Sequence, residues 1–260
     1  MSFGPRPWQQ TNWDWRAAGN FMLGGTGAGL VIGLALVQNQ SPYPVILAAL
    51  LVAGGLGTVW LEIGRKLRAI HVFFNPRTSW MTRESMVAII LFGSGIAYLL
   101  IKEAWLQYAA ALAALAFVYC QGRILRAAKG IPAWRAPQVV ALVMTTALAE
   151  GMGLLLLMNP EFLVISLFTA AVIARAVAWS GYRAALKQPG SRAALESAGK
   201  ALIQIGTIAP LALVLGAYFV PQAALLAGVA AILTGWWFKY VLVTRAAFNQ
   251  GFSLEHLPAR

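Results

Sequence analysis

Charge is what this sequence has least of. Only 11% of its 260 residues are Asp, Glu, Lys or Arg, while 60% are hydrophobic. A soluble domain of this size carries about 25% charged residues, so the chain lacks the polar surface that water demands. Cysteine is nearly absent too. Cys120 stands alone, which excludes an internal disulfide and a thiolate metal site. One cysteine also excludes an iron–sulfur cluster in this chain. His71 and His256 are the only histidines, one in a loop and one in the C-terminal tail. A membrane cytochrome b needs axial histidines on its helices, so haem is excluded as well. No His, Asp and Glu group has metal-ligand spacing, and no hydrolytic triad is visible. A cleavable signal peptide is not expected, because the first apolar run follows a polar, Trp-rich start and is too long for one.

What the sequence does have is apolar runs. Eight are near the length that spans a bilayer, about 20 residues: 17–38, 43–62, 85–101, 104–122, 138–158, 161–181, 201–219 and 221–243. Hydrocarbon offers no partner to a backbone amide, so each run is expected to be helical. Period-two alternation is absent, which argues against a β-barrel. The expected fold is an all-α polytopic membrane protein of eight transmembrane helices. The expected divisions are an interfacial segment over 1–16, the helical domain over 17–245 and a tail over 246–260.

The connections alternate. Tight turns follow the odd spans: Asn39 to Pro42, Lys102-Glu103, Asn159-Pro160 and Val220-Pro221. Longer basic loops follow the even spans. Placing the loops on alternate sides gathers 19 of the 20 Lys and Arg residues on one side, with Lys102 the exception. The positive-inside rule makes that side, and both termini, cytoplasmic; a rival cause of the asymmetry is a docked partner. The net charge of +12 does not point to nucleic acid, since the cations sit in short loops that face lipid headgroups or a subunit. Nine of the ten tryptophans, all but Trp105, fall near span ends on the basic side, as an interfacial aromatic belt would. The glycines from Gly24 to Gly29, and Gly54, Gly55 and Gly57, read as close helix contacts. A nucleotide loop is the poorer reading, because no strand precedes them.

Ionisable residues within spans are costly and therefore candidate functional groups. They are Glu62, Arg123, Glu150, Arg175 and Lys239. Glu62, Arg123, Arg175 and Lys239 lie toward the basic ends of their spans, where they either line one polar pocket or, for the cations, snorkel to the interface. Glu62 has a plain alternative as the ion-pair partner of Arg65 or Arg68. Glu150 falls near mid-membrane, as a proton-handling group or as the buried partner of a hydroxyl or an arginine on a neighbouring helix.

One region carries a resemblance. Trp60-Leu61-Glu62-Ile63-Gly64-Arg65, Arg68-Ala69 and Asn75-Pro76-Arg77-Thr78-Ser79-Trp80-Met81-Thr82-Arg83-Glu84 resemble the membrane anchor subunits of dimethyl sulfoxide reductase and polysulfide reductase-type molybdoenzyme complexes (DmsC/NrfD-like). The glycine-rich first span, Gly19-Asn20-Phe21 to Gly29, and the eight-span layout are similar too. The run Trp13-Asp14-Trp15-Arg16-Ala17-Ala18-Gly19-Asn20-Phe21 is similar to anchors described as phenylacetyl-CoA:acceptor oxidoreductase subunits; cytoplasmic sulfite-oxidising complexes are a second candidate subgroup. The resemblance implies a subunit of the bacterial inner membrane that binds a quinone, ubiquinone or menaquinone. It also implies a docked iron–sulfur subunit that carries a molybdenum catalytic subunit. Here the family's quinone-site histidine aligns with Glu62, a group that exchanges protons but donates a hydrogen bond only when protonated.

The expected function is therefore an anchor that passes electrons between an iron–sulfur partner on the basic face and the quinone pool. Substrate chemistry belongs to another subunit. The expected quinone-pocket residues are Glu62, Arg65, Arg123, Arg175 and Lys239, with Glu62 exchanging protons and Glu150 on a possible proton path. Two other classes stand beside this reading. One is a small proton-coupled secondary transporter working through Glu150; the other is a purely structural anchor without quinone.

Overall fold

The structure, a computed structural model, describes residues 7–63, 66–217 and 219–251; of Lys66 and Leu67 only the backbone is described. Among these residues there are no strands, and eight helices are long and apolar enough to cross a membrane. They are α1 (Trp15–Leu36), α2 (Pro42–Glu62), α3 (Trp80–Ile101), α4 (Ala104–Ala127), α5 (Gln138–Met158), α6 (Phe162–Ala185), α7 (Pro189–Gly216) and α8 (Gln222–Arg245). A 3₁₀ segment, Lys66–Phe74, joins α2 to α3.

Three helices differ from the sequence expectation by five residues or more at one end. α3 begins at Trp80 rather than 85 because the Ser79 hydroxyl caps it, accepting from the Thr82 amide at 3.2 Å. Arg83 fits in that first turn by lying over the Trp80 ring at 4.1 Å and donating to the Pro76 and Arg77 carbonyls. α7 begins twelve residues before 201, with Pro189 at its start, where a missing amide costs nothing. Its first turns are amphipathic. Leu195, Ala198 and Leu202 face inward, while Glu196 and Lys200 pair at 2.9 Å on the exposed side. A span search reads that polar stripe as loop. α4 likewise continues past 122 to Ala127, with Arg126 exposed.

Two helices form the centre. α1 and α5 are 72% and 67% buried, against 22% for each of α2 and α3, which lie on the outside. α1 and α5 meet at Gly29 and Gly151, where a Cβ on either would strike the other helix's backbone. This is the close approach that small residues permit. Around them pack α4, α6 and α8.

The ends of the described chain are sewn together. The Gln10 amide donates to the Ala247 carbonyl at 2.8 Å, and the Asn249 amide to the Trp8 carbonyl at 3.0 Å. Beside this seam Asp14 caps α1 through the Arg16 amide. The Arg16 guanidinium, 2.9 Å away, holds the Asp14 carboxyl below its ordinary range. The tryptophans are not all a belt. Trp134 and Trp179 are buried; Trp134 stacks on Trp13 and donates to the Leu242 carbonyl at 2.9 Å. Burying an indole with its N–H satisfied gains its large apolar area.

Candidate functional site

Two polar centres lie inside the bundle, and one irregular turn of α1 serves both. At Asn20–Gly24 the helix widens into a π-turn, a feature frequent at functional sites.

The first centre holds Glu150 on α5, Lys239 on α8 and Arg175 on α6, all buried. Lys239 Nζ lies 2.7 Å from Glu150 Oε2 and donates also to the Phe21 carbonyl of the π-turn at 2.7 Å. The Thr26 hydroxyl sits 2.8 Å from Glu150 Oε2 and accepts from Trp236 Nε1 at 2.9 Å. Arg175 donates to the Ala231 carbonyl at 2.9 Å and to the carbonyl of Gly206. Gly206 lies in another π-turn, Gln204–Ile208. Each buried cation is thus met by a carbonyl from a π-turn of another helix. Glycines make the room: a Cβ on Gly25 would stand 2.6 Å from Lys239 Nζ, and one on Gly235 would strike Glu150. Glu150 Oε1 and Arg175 Nε have no partner among the described residues. Buried groups left so are costly.

The second centre is Glu84, one turn inside α3 and 4% exposed. Asn20, from the same π-turn, donates to Glu84 Oε1 at 2.9 Å, and Gln121 on α4 donates to the Asn20 carbonyl at 2.9 Å. Asn20 Oδ1 and Gln121 Oε1 have no donor among the described residues. A proton carried on Glu84 would supply one. Glu84 also lines a hollow of about 530 Å³ between α2, the 3₁₀ segment and α3. Gly57, Trp60, Ile70, Phe73 and Met81 are among its walls, and among the described residues Glu84 is the one charged residue lining it. Its size is that of a small-molecule site.

The residues expected to share a pocket are found in separate places. Arg175 and Lys239 join Glu150 in the core. Glu62 ends α2, half-buried, beside Asp14 and Arg16, and forms no ion pair among the described residues. Arg123 lies over the Trp80 ring at 4.2 Å, on the ring that Arg83 also covers, and donates to the Tyr119 hydroxyl at 2.5 Å. Arg65 lies outside the described residues. Among those described, no group of three His, Cys, Asp or Glu side chains is placed to hold a metal.

Sequence reasoning missed Glu84 as a site residue. Had the span been started from the Ser79 cap rather than from the first uncharged residue, Glu84 would have fallen inside the membrane. Neither a scan of protein-family models nor a search of curated proteins finds a match to this chain.

Proposed function

We propose that this protein is the membrane anchor and quinone-binding subunit of a multi-subunit oxidoreductase, exchanging electrons with a docked iron–sulfur partner. The observation that carries the reading is the hollow beside Glu84. It is apolar, and among the described residues the buried Glu84 is the one ionisable residue that lines it. A quinone ring needs apolar walls, a hydrogen-bonding group at its oxygen, and a source of protons, since reduction to quinol takes up two electrons and two protons. Glu84 supplies the hydrogen bond and one proton, and the Asn20–Gln121 pair holds its carboxyl in place. The resemblance to the DmsC/NrfD-like anchors adds weight, because its motif segment runs from Trp60 to Glu84 and so frames this hollow. Glu62, which aligns with the family's histidine, stands near the same end of α2 and is the second proton-exchanging candidate.

The partner's place in this reading is the basic end of the bundle. Arg77, Arg83, Arg123, Arg126, Arg135 and Arg183 belong to that end, which the positive-inside rule makes cytoplasmic. The membrane is then the bacterial inner membrane, and the molybdenum subunit sits beyond the iron–sulfur one.

The test pairs two assays on complexes carrying Glu84→Gln. One supplies a soluble dye that exchanges electrons with the partner subunits; the other supplies quinone. The dye activity is expected to survive and the quinone activity to fall by about 10²–10⁴-fold, the usual worth of general acid–base help. Equal activities would reduce Glu84 to a structural partner of Asn20. Glu62→Gln, run beside it, divides the proton work between the two carboxylates. The buried Glu150–Lys239 pair favours a second reading, a proton-coupled transporter. That reading predicts purified protein free of quinone and of any iron–sulfur subunit.

A further inference from the structure

The hollow beside Glu84 does not stand alone. Farther along the same two helices lies a second, narrow hollow of about 50 Å³. Val45 and Ala49 of α2 and Gly95 and Leu99 of α3 form its sides, and Leu34 of α1 its floor. Phe92 lines both hollows. The reason for the crevice is that α2 leans on α1 and barely touches α3, although the two are consecutive spans. Two glycines mark its empty space: a Cβ on Gly57, in the first hollow, or on Gly95, in the second, would meet nothing within 4 Å.

We infer that this α2–α3 crevice is a track for the polyprenyl tail of the quinone whose ring sits beside Glu84. The inference rests on the quinone reading above and extends it to a long-tailed ligand. Glu84 and Leu99 are fifteen residues apart on α3, so the track runs about 22 Å at 1.5 Å per residue. That is most of a hydrocarbon core of about 30 Å. A ring alone would fill only the first hollow. A phospholipid fits poorly, because among the described residues no cation lines either hollow to meet a phosphate. A neutral ring needs none. Lipid tails are as apolar as the crevice, so hydrophobicity alone gives no preference. What holds the tail is dispersion contact with a preformed groove, while the ring anchors one end.

The experiment uses the full chain in phospholipid vesicles and a ubiquinone analogue bearing a diazirine near the end of its tail. After illumination, adducts are mapped by mass spectrometry. They are expected at residues 95–99 of α3 and at Val45 and Ala49 of α2, and excess decylubiquinone should suppress them. Gly95→Leu fills the track from open space and should remove at least about nine-tenths of these adducts. Gly93→Leu should leave them. Gly93 also has nothing within 4 Å but lines neither hollow, so it controls for the added side chain. Unfolding temperatures of both variants check that neither disturbs the bundle. Adducts that decylubiquinone suppresses but that map elsewhere, or that survive Gly95→Leu, overturn the track and leave the ring site standing. Adducts that decylubiquinone does not suppress overturn the ring site itself. A photoreactive phospholipid that labels the same residues, unmoved by quinone, overturns the track in favour of structural lipid.

Discussion

A lysine on the last helix is held between a carbonyl of the first and a carboxylate of the fifth, and this arrangement sets what single substitutions do. Lys239 and Glu150 are both buried and 2.7 Å apart. Breaking such a pair from one side leaves an uncompensated charge, at a cost of about 3–5 kcal/mol. Lys239→Met should therefore lower the unfolding midpoint in detergent sharply. Adding Glu150→Gln to it should recover most of the loss, since the pair's own net worth is small. If the double variant is no better than the single, the two residues are not coupled. Half of this centre was legible in the sequence. Glu150 was visible as a mid-membrane carboxylate, either a proton-handling group or the partner of a hydroxyl or an arginine; the structure gives it the Thr26 hydroxyl and, where an arginine was expected, Lys239. Lys239 was harder. It follows Trp236, Trp237 and Phe238 near a span end, and proximity to an end reads as snorkelling. Its inward direction depends on where α8 turns relative to α1, which no local pattern reports.

At the scale of the helix, the glycines divide into three kinds that the sequence does not distinguish. Gly29 and Gly151 let backbones touch, Gly25 and Gly235 clear space for charged side chains, and Gly57, Gly93 and Gly95 border open space. The expectation of close packing suits the first kind only. Substitution should separate them. Gly29→Val forces α1 away from α5 and should cost at least the 1–3 kcal/mol or so of an overpacked core. Gly93→Ala should change stability by no more than about 0.5 kcal/mol. Thermal unfolding of the two side by side decides this, and similar midpoints would mean that α1 and α5 do not approach as described. The π-turns had no legible signal at all. Two of them, at Asn20–Gly24 and Gln204–Ile208, bring the Phe21 and Gly206 carbonyls to buried cations of other helices, contacts that no local pattern reports. Span count and the position of the tight turns were legible, because about 20 apolar residues and Pro or Asn punctuation are local properties. The starts of α3 and α7 were not, because a cap and an amphipathic stripe overrode the hydropathy.

For the whole molecule, the charge asymmetry makes a testable statement about orientation. Reporter fusions after Arg260 and within the turn from Asn39 to Pro42 should give opposite signals, with the C-terminal one cytoplasmic. An exported signal from the C-terminal fusion would reverse the orientation and leave partner docking as the source of the basic face. The seam between residues 8–10 and 247–249 has a consequence in time as well as in space. Synthesis runs from the N-terminus, and α8 with the residues after it delivers both the contacts that close the seam and, among the described residues, the one ammonium bonded to Glu150. Before α8 is made, Glu150 has Arg175 of α6 nearby but lacks the Lys239 ammonium that lies 2.7 Å from its Oε2. The seam and the charge pairing of the core are therefore late contacts, closed only when α8 has joined the bundle.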